Sequence, residues 1–97
     1  AEKGFRDYFC DKLFLGVDGF DLDFGISTPS PEEAYLNQIM IDISKEVIVL
    51  ADSSKFERRG FAFIAPVSKI NIVITDKGIR PEYKSRLEAT GIKVIVV

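Results

Sequence analysis

Histidine and tryptophan are absent from these 97 residues, and cysteine and methionine occur once each, as Cys10 and Met40. Without histidine there is no imidazole for acid–base catalysis and no imidazole metal ligand. A lone thiol forms neither an internal disulfide nor a multi-thiolate zinc site, and it suits a reducing compartment. No metal and no cofactor is therefore expected. Long apolar runs are missing as well. None approaches the ~20 residues that cross a bilayer. No basic stretch followed by an apolar one marks a secretory leader, so the expectation is a cytoplasmic protein without a membrane partner. Positive charge is also in short supply. Thirteen Lys and Arg against 15 Asp and Glu leave a net −2, with a sequence pI near 5.1. Phosphate-dominated binding needs a basic face, so these residues are not expected to grip nucleic acid unaided. Neither a GxGxxG dinucleotide fingerprint nor a GxxxxGK[ST] phosphate loop occurs. Asp21 and Asp23 have the DxD spacing of phosphoaspartate enzymes, but no run of strand formers leads directly into them.

What is present is a globular composition. Hydrophobic residues reach 46%, too many for a disordered tail, and the length fits one domain. Charge is uneven: residues 1–44 hold 9 acidic and 3 basic groups, residues 45–97 hold 6 and 10. Two differently charged surfaces would explain this, and so would a basic pocket for an anion in the second half.

Four apolar runs stand out: Leu13–Val17, Val47–Ala51, Ile70–Ile74 and Lys93–Val97. Three are dense in β-branched residues and nearly continuous, as strands buried on both faces are. Between the first two, Pro31 to Ser44 reads as a helix, with Leu36, Met40 and Ile43 as its apolar stripe and Tyr35 and Ile39 beside it. Between the last two, Pro81 to Thr90 reads as a second helix, with Tyr83 and Leu87 four apart and Gly91 just past its end. Pro66–Lys69 suggests a short helical turn. The order β-α-β-α-β-α-β implies an α/β domain of three layers, a twisted parallel sheet with helices on its faces. Residues 1–9 read as the tail of a preceding helix, with Phe5, Tyr8 and Phe9 as its apolar side. The final Val94–Val97 stops inside an apolar run, which suits a buried terminal strand or a fragment of a longer protein.

An Asp follows three of the four runs: Asp18 in Gly16-Val17-Asp18-Gly19, Asp52 in Asp52-Ser53-Ser54-Lys55, and Asp76 in Thr75-Asp76-Lys77-Gly78. Open α/β sheets bind ligands outside the carboxyl ends of their strands, so these carboxylates are expected to converge there. Asp, Ser and Gly are equally ordinary turn and cap formers. The ammonium of Lys55, among free N–H groups and hydroxyls, suits an anionic oxygen. Arg58 and Arg59 add positive potential, although a solvated basic loop reads the same way. Ser30, Pro31 and Glu33 form a capping box at a helix start. That role accounts for Glu33 without a ligand; a carboxylate beside a sugar hydroxyl is the functional alternative. Gly16 and Gly19 permit a tight turn and close ligand approach around Asp18. Cys10 reads as a small buried hydrophobe.

Taken in order, Asp18-Gly19, Gly25-Ile26-Ser27-Thr28-Pro29, Glu32-Glu33-Ala34, Met40, Val47 to Phe56 and Ile74-Thr75-Asp76 closely resemble the C-terminal sensor domain of DeoR-type transcriptional repressors. The likeness runs from about Lys12 to Val97 and is most specific over Val47–Phe56. The resemblance implies a Rossmann-like sensor related to the ribose phosphate isomerase fold. It implies a phosphorylated sugar as effector, and operator DNA as partner through an N-terminal winged helix-turn-helix outside this chain. It also implies that the start of the sensor, with a Gly-rich phosphate loop, lies outside residues 1–97, and that the whole protein is a homo-oligomer regulating a carbohydrate operon. Carried over residue by residue, the effector contacts implied are Asp18, Gly19, Glu33, Asp52, Ser54 and Lys55. Glu33 matches the catalytic carboxylate of the isomerases. The family often has Lys four positions after it; here Asn37 keeps the hydrogen bonding and loses the charge. No catalytic residues are implied for a repressor. Two other functions stay open from the sequence. One is a sugar-phosphate isomerase or amino-sugar-phosphate deaminase using Glu33, an Asp and Lys55. The other is an oligomerisation domain with Phe61-Ala62-Phe63-Ile64 as an interface strand.

Overall fold

The structure, a computed structural model, describes residues 8–97. The expected helical tail with Phe5 on its apolar side lies largely outside the described residues. All four apolar runs form strands, β1 (Cys10–Gly16), β4 (Ser44–Leu50), β6 (Ile72–Thr75) and β7 (Lys93–Val96). They pair in parallel in the order β1-β4-β6-β7. Three further strands, β2 (Gly19–Asp21), β3 (Gly25–Thr28) and β5 (Ala62–Ala65), make a small antiparallel sheet in the order β2-β3-β5.

Both expected helices form: α1 (Pro31–Asp42) and α2 (Pro81–Ala89). Proline opens each, where its missing N–H costs nothing. Gly91, at φ +96, follows α2, the left-handed geometry that ends helices. Pro66–Lys69 yields only a 3-10 turn over Val67–Lys69. The link from β4 to β6 thus carries β5 and two 3-10 turns in place of a third helix.

The four parallel strands follow one another across the sheet without reversal. Connections of one hand then fall on one face, and the core bears this out. Leu15, Val47, Val49 and Val73 of the large sheet pack with Ala34 and Ile41 of α1, with Tyr83 and Leu87 of α2, and with Phe20, Ile26 and Ile64 of the small sheet. The described residues therefore build an α/β unit with its helices on one face of the parallel sheet, where three layers were expected.

The stripe on α1 is borne out in part. Ile39 and Ile43 are buried and Met40 is half-buried, whereas Tyr35 and Leu36 are half exposed and Ala34 and Ile41 join the core in their place. The helix packs chiefly on β5 and β3, and the small Ala34 lets it approach them. Gln38 Nε2 donates to the Phe63 carbonyl at 3.2 Å. That bond occupies an outward carbonyl of β5, the segment expected to serve as an interface strand, and so blunts it as an open edge.

Candidate functional site

β1 delivers Asp18 into an exposed loop, and the backbone N–H of Asp18 donates to the Ser27 carbonyl at 3.1 Å. β3 ends in Thr28, only 1% exposed. Its hydroxyl lies 3.4 Å from Asp18 Oδ2 and 3.2 Å from Glu33 Oε1. One hydroxyl carries one proton, so it donates to one carboxylate at a time and holds the two within reach of the same atom.

Ser30 caps α1 as expected, its Oγ accepting from the Glu33 N–H at 3.2 Å. The Glu33 carboxylate meets the Thr28 hydroxyl, so only half of the expected capping box is recorded. Sequence reasoning did not single out Thr28. The signal for it was a hydroxyl pair, Ser27-Thr28, closing a short apolar stretch.

Lys55 comes from the turn after β4. Together with Asp18, Arg58, Arg59 and Gly60 it lines a cavity of about 240 Å³. The two most distinctive residues of the expected site, Asp18 and Lys55, thus share one cavity. Its far wall is stitched to the small sheet. Gly60 N–H donates to Ser27 Oγ at 2.6 Å, and Glu57 N–H to the Phe20 carbonyl at 2.7 Å. Arg59 is drawn aside: its Nε lies 3.3 Å from Asp21 Oδ2, and its guanidinium sits 5.4 Å from the Phe24 ring centre. Lys55 and Arg58 have no ion-pair partner among the described residues.

Asp52 and Ser54 do not join them. Asp52 accepts from both the backbone N–H, at 3.0 Å, and the hydroxyl of Ser54. These bonds, more than the nearby Lys55 charge, hold its carboxyl below the usual range. Asp76 accepts from Ser53 N–H at 2.9 Å and Gly78 N–H at 2.8 Å, and its carboxyl is lowered chiefly by the first. The two carboxylates brace the turn that presents Lys55. They line a separate cavity of about 310 Å³ with Leu50, Ile74 and Val97. Gly19 is buried beneath the cavity wall. Asn37 is half-buried on α1. No group of three or more Cys, Asp or Glu among the described residues is placed to hold a metal.

Behind the Lys55 turn lies Tyr83, its ring 5.0 Å from that of Phe56. Burial, with the Asp21 and Glu57 charges adding to it, pushes its hydroxyl up to about 12 from 10.0. The unfolded chain therefore releases this proton first as pH rises. The stabilisation is complete below pH 10 and is lost as pH climbs towards 12. In urea titrations at pH 9 and pH 11.5, the unmodified chain should lose more stability than Tyr83→Phe. Equal losses would refute this.

The model of the DeoR C-terminal sensor domain matches residues 1–77. The chain belongs to this family. Sensor-domain relatives are named as regulators of transcription. The chain is 40% identical over 97 residues to a putative aga operon transcriptional repressor of Escherichia coli O157:H7, covering all of this chain and 36% of that protein. It is 33% identical over 85 residues to the HTH-type transcriptional regulator GlpR of Haloferax volcanii, covering 88% and 33%. It is 38% identical over 81 residues to the transcriptional repressor AccR of Agrobacterium fabrum, covering 82% and 31%. The chain thus spans about a third of the length of these relatives.

Proposed function

We propose that this DeoR-type sensor domain binds a phosphorylated sugar at the Asp18–Lys55 cavity and belongs to a transcriptional repressor of a carbohydrate operon. The supporting observation is that two unlike half-sites meet at Asp18. On one side the Thr28 hydroxyl links Asp18 to Glu33, and carboxylates accept from sugar hydroxyls. On the other, Asp18 shares a cavity with Lys55 and Arg58, whose charges suit a phosphate. Asp52 and Ser54 act in this reading by shaping the turn, and Gly19 by keeping the wall close. The larger sensor is three-layered and Rossmann-like, related to the ribose phosphate isomerase fold. The whole repressor is an oligomer that reaches operator DNA through a winged helix-turn-helix outside residues 1–97. Effector binding weakens operator binding insofar as it favours one of two conformations.

Thermal unfolding of the longer protein carrying this domain tests the reading. A cognate sugar phosphate at a hundredfold excess over Kd should add ~2.7 kcal/mol, and Lys55→Ala should abolish the gain. Equal stabilisation by the unphosphorylated sugar, or none by any phosphosugar, would overturn it. The Asp18–Glu33 pair also favours a second reading, aldose–ketose phosphate isomerisation by general acid–base catalysis. Turnover of an aldose phosphate, lost in Glu33→Gln, would establish that one.

A further inference from the structure

Among the described residues, Glu57 is the one non-glycine residue at positive φ, +61. Glycine adopts this left-handed backbone freely, whereas a Cβ makes it costly. The bend follows from the chain's path. Glu57 N–H reaches the Phe20 carbonyl on the edge strand β2, and three residues later Gly60 N–H reaches Ser27 Oγ on β3. The chain thus leaves the strand edge and crosses onto the small sheet, and Glu57 supplies the turn. Strain held in place by a side chain that could have been absent points to a use for that side chain. Glu57 Oε1 accepts from Nη2 of Arg80, the residue that caps the start of α2. One turn further on, the Tyr83 ring of α2 lies 5.0 Å from that of Phe56. Two successive residues are therefore gripped by α2, Phe56 through its ring and Glu57 through its charge. Lys55 and Arg58, the cations that line the cavity with Asp18, stand immediately before and after the gripped pair.

We propose that the Glu57–Arg80 ion pair is a clasp that fixes the spacing of Lys55 and Arg58 and makes Glu57 a positioning residue for phosphate, a role that rests on reading the Asp18–Lys55 cavity as a phosphate site. Neither member of the pair lines that cavity; both line a separate one of about 160 Å³ behind the turn, with Tyr83. Both side chains are more than half exposed, and an exposed pair adds little to folding. Its value lies in geometry. Two cations already held at a set separation bind one phosphate without first losing their freedom. Charge alone gives the opposite sign. A carboxylate next to Arg58 repels an anion, so its removal would tighten phosphate binding. With the clasp, its removal loosens phosphate binding instead.

Titration of the longer protein with inorganic phosphate, followed by phosphorus NMR line broadening, tests the clasp. Glu57→Gln should weaken phosphate binding roughly fivefold, Arg80→Gln by a similar factor, and the double variant no further than either, because one coupled pair is broken in all three. Urea midpoints of the three should match that of the unmodified protein. Unchanged or tighter phosphate binding in Glu57→Gln would overturn the proposal, and so would losses that multiply in the double variant. Glu57→Gly gives a second measurement, since it relieves the backbone while opening the clasp. Its unfolding midpoint should be no lower while its phosphate affinity falls. Undiminished affinity would overturn the proposal, and a fall in both would reassign Glu57 to folding alone. Lys55→Ala separates the two readings. If the unmodified protein binds phosphate no better than Lys55→Ala, the phosphate site itself is refuted. Binding that needs Lys55 and ignores Glu57 refutes the clasp alone.

Discussion

Phe20→Ala should cost about 3–5 kcal/mol of unfolding free energy, the range for truncating a fully buried aromatic ring. Phe20 is 0% exposed and packs edge-on against Phe56, with ring centres 5.2 Å apart. It sits in β2, where the small sheet meets the core of the large one. Its carbonyl also receives the Glu57 N–H, so the ring anchors the start of the segment that carries Arg58 and Arg59. A small domain has little stability to spare, and the variant should be substantially unfolded at 37 °C. Urea denaturation at 25 °C gives the number, with Phe61→Ala as control. Phe61 is 83% exposed, and its loss should stay within about 0.5 kcal/mol. A Phe20→Ala loss below 1 kcal/mol would mean that β2 is not part of the cooperative unit.

The strands that the sequence announces are those whose burial dictates composition. Val47–Leu50 and Ile72–Thr75 lie in the middle of the sheet and need β-branched side chains, so they read clearly. β2 and β3 are three and four residues long, too short for any period to register. The second partner of β3, β5, comes more than thirty residues later, and nothing local announces that pairing. The α1 stripe was legible only in part, Ile39 and Ile43 being buried but Tyr35 and Leu36 not, for a related reason. Periodicity identifies an apolar side, but the unforeseen small sheet decided which side is buried. That sheet accepts Ala34 and Ile41 and leaves Leu36 at the surface.

The site divides along the same line. Asp18 and Lys55 each follow a parallel strand, and strand ends converge in space. That rule also brought Asp52 and Asp76 to the right end of the sheet. It could not say what their oxygens bind. Asp52 closes on Ser54 two residues away, and Asp76 on Gly78 as well as on Ser53 of the facing turn. Such short-range bonds are the ordinary habit of aspartate in turns. Thr28 needed the fold, since its partners Asp18 and Glu33 lie ten and five residues away on different elements.

Gly19→Val should remove stability and effector response together. A Cβ built on Gly19 would lie 2.5 Å from Ser27 Oγ, 2.8 Å from the Arg58 carbonyl oxygen and 3.0 Å from the Gly60 nitrogen. Two of those three atoms are backbone and cannot rotate away. The 58–60 segment would have to lift off the small sheet, breaking the Ser27–Gly60 bond and drawing Arg58 away from Asp18. Overpacking of this kind costs about 3 kcal/mol. At temperatures where the variant remains folded, the thermal shift with sugar phosphate should vanish as it does in Lys55→Ala. Gly16→Ala provides the contrast: nothing lies within 4 Å of its added Cβ, and its response should match the unmodified domain. A folded Gly19→Val protein with its full response would place the effector elsewhere, because the wall that holds Arg58 beside Asp18 could not survive the substitution.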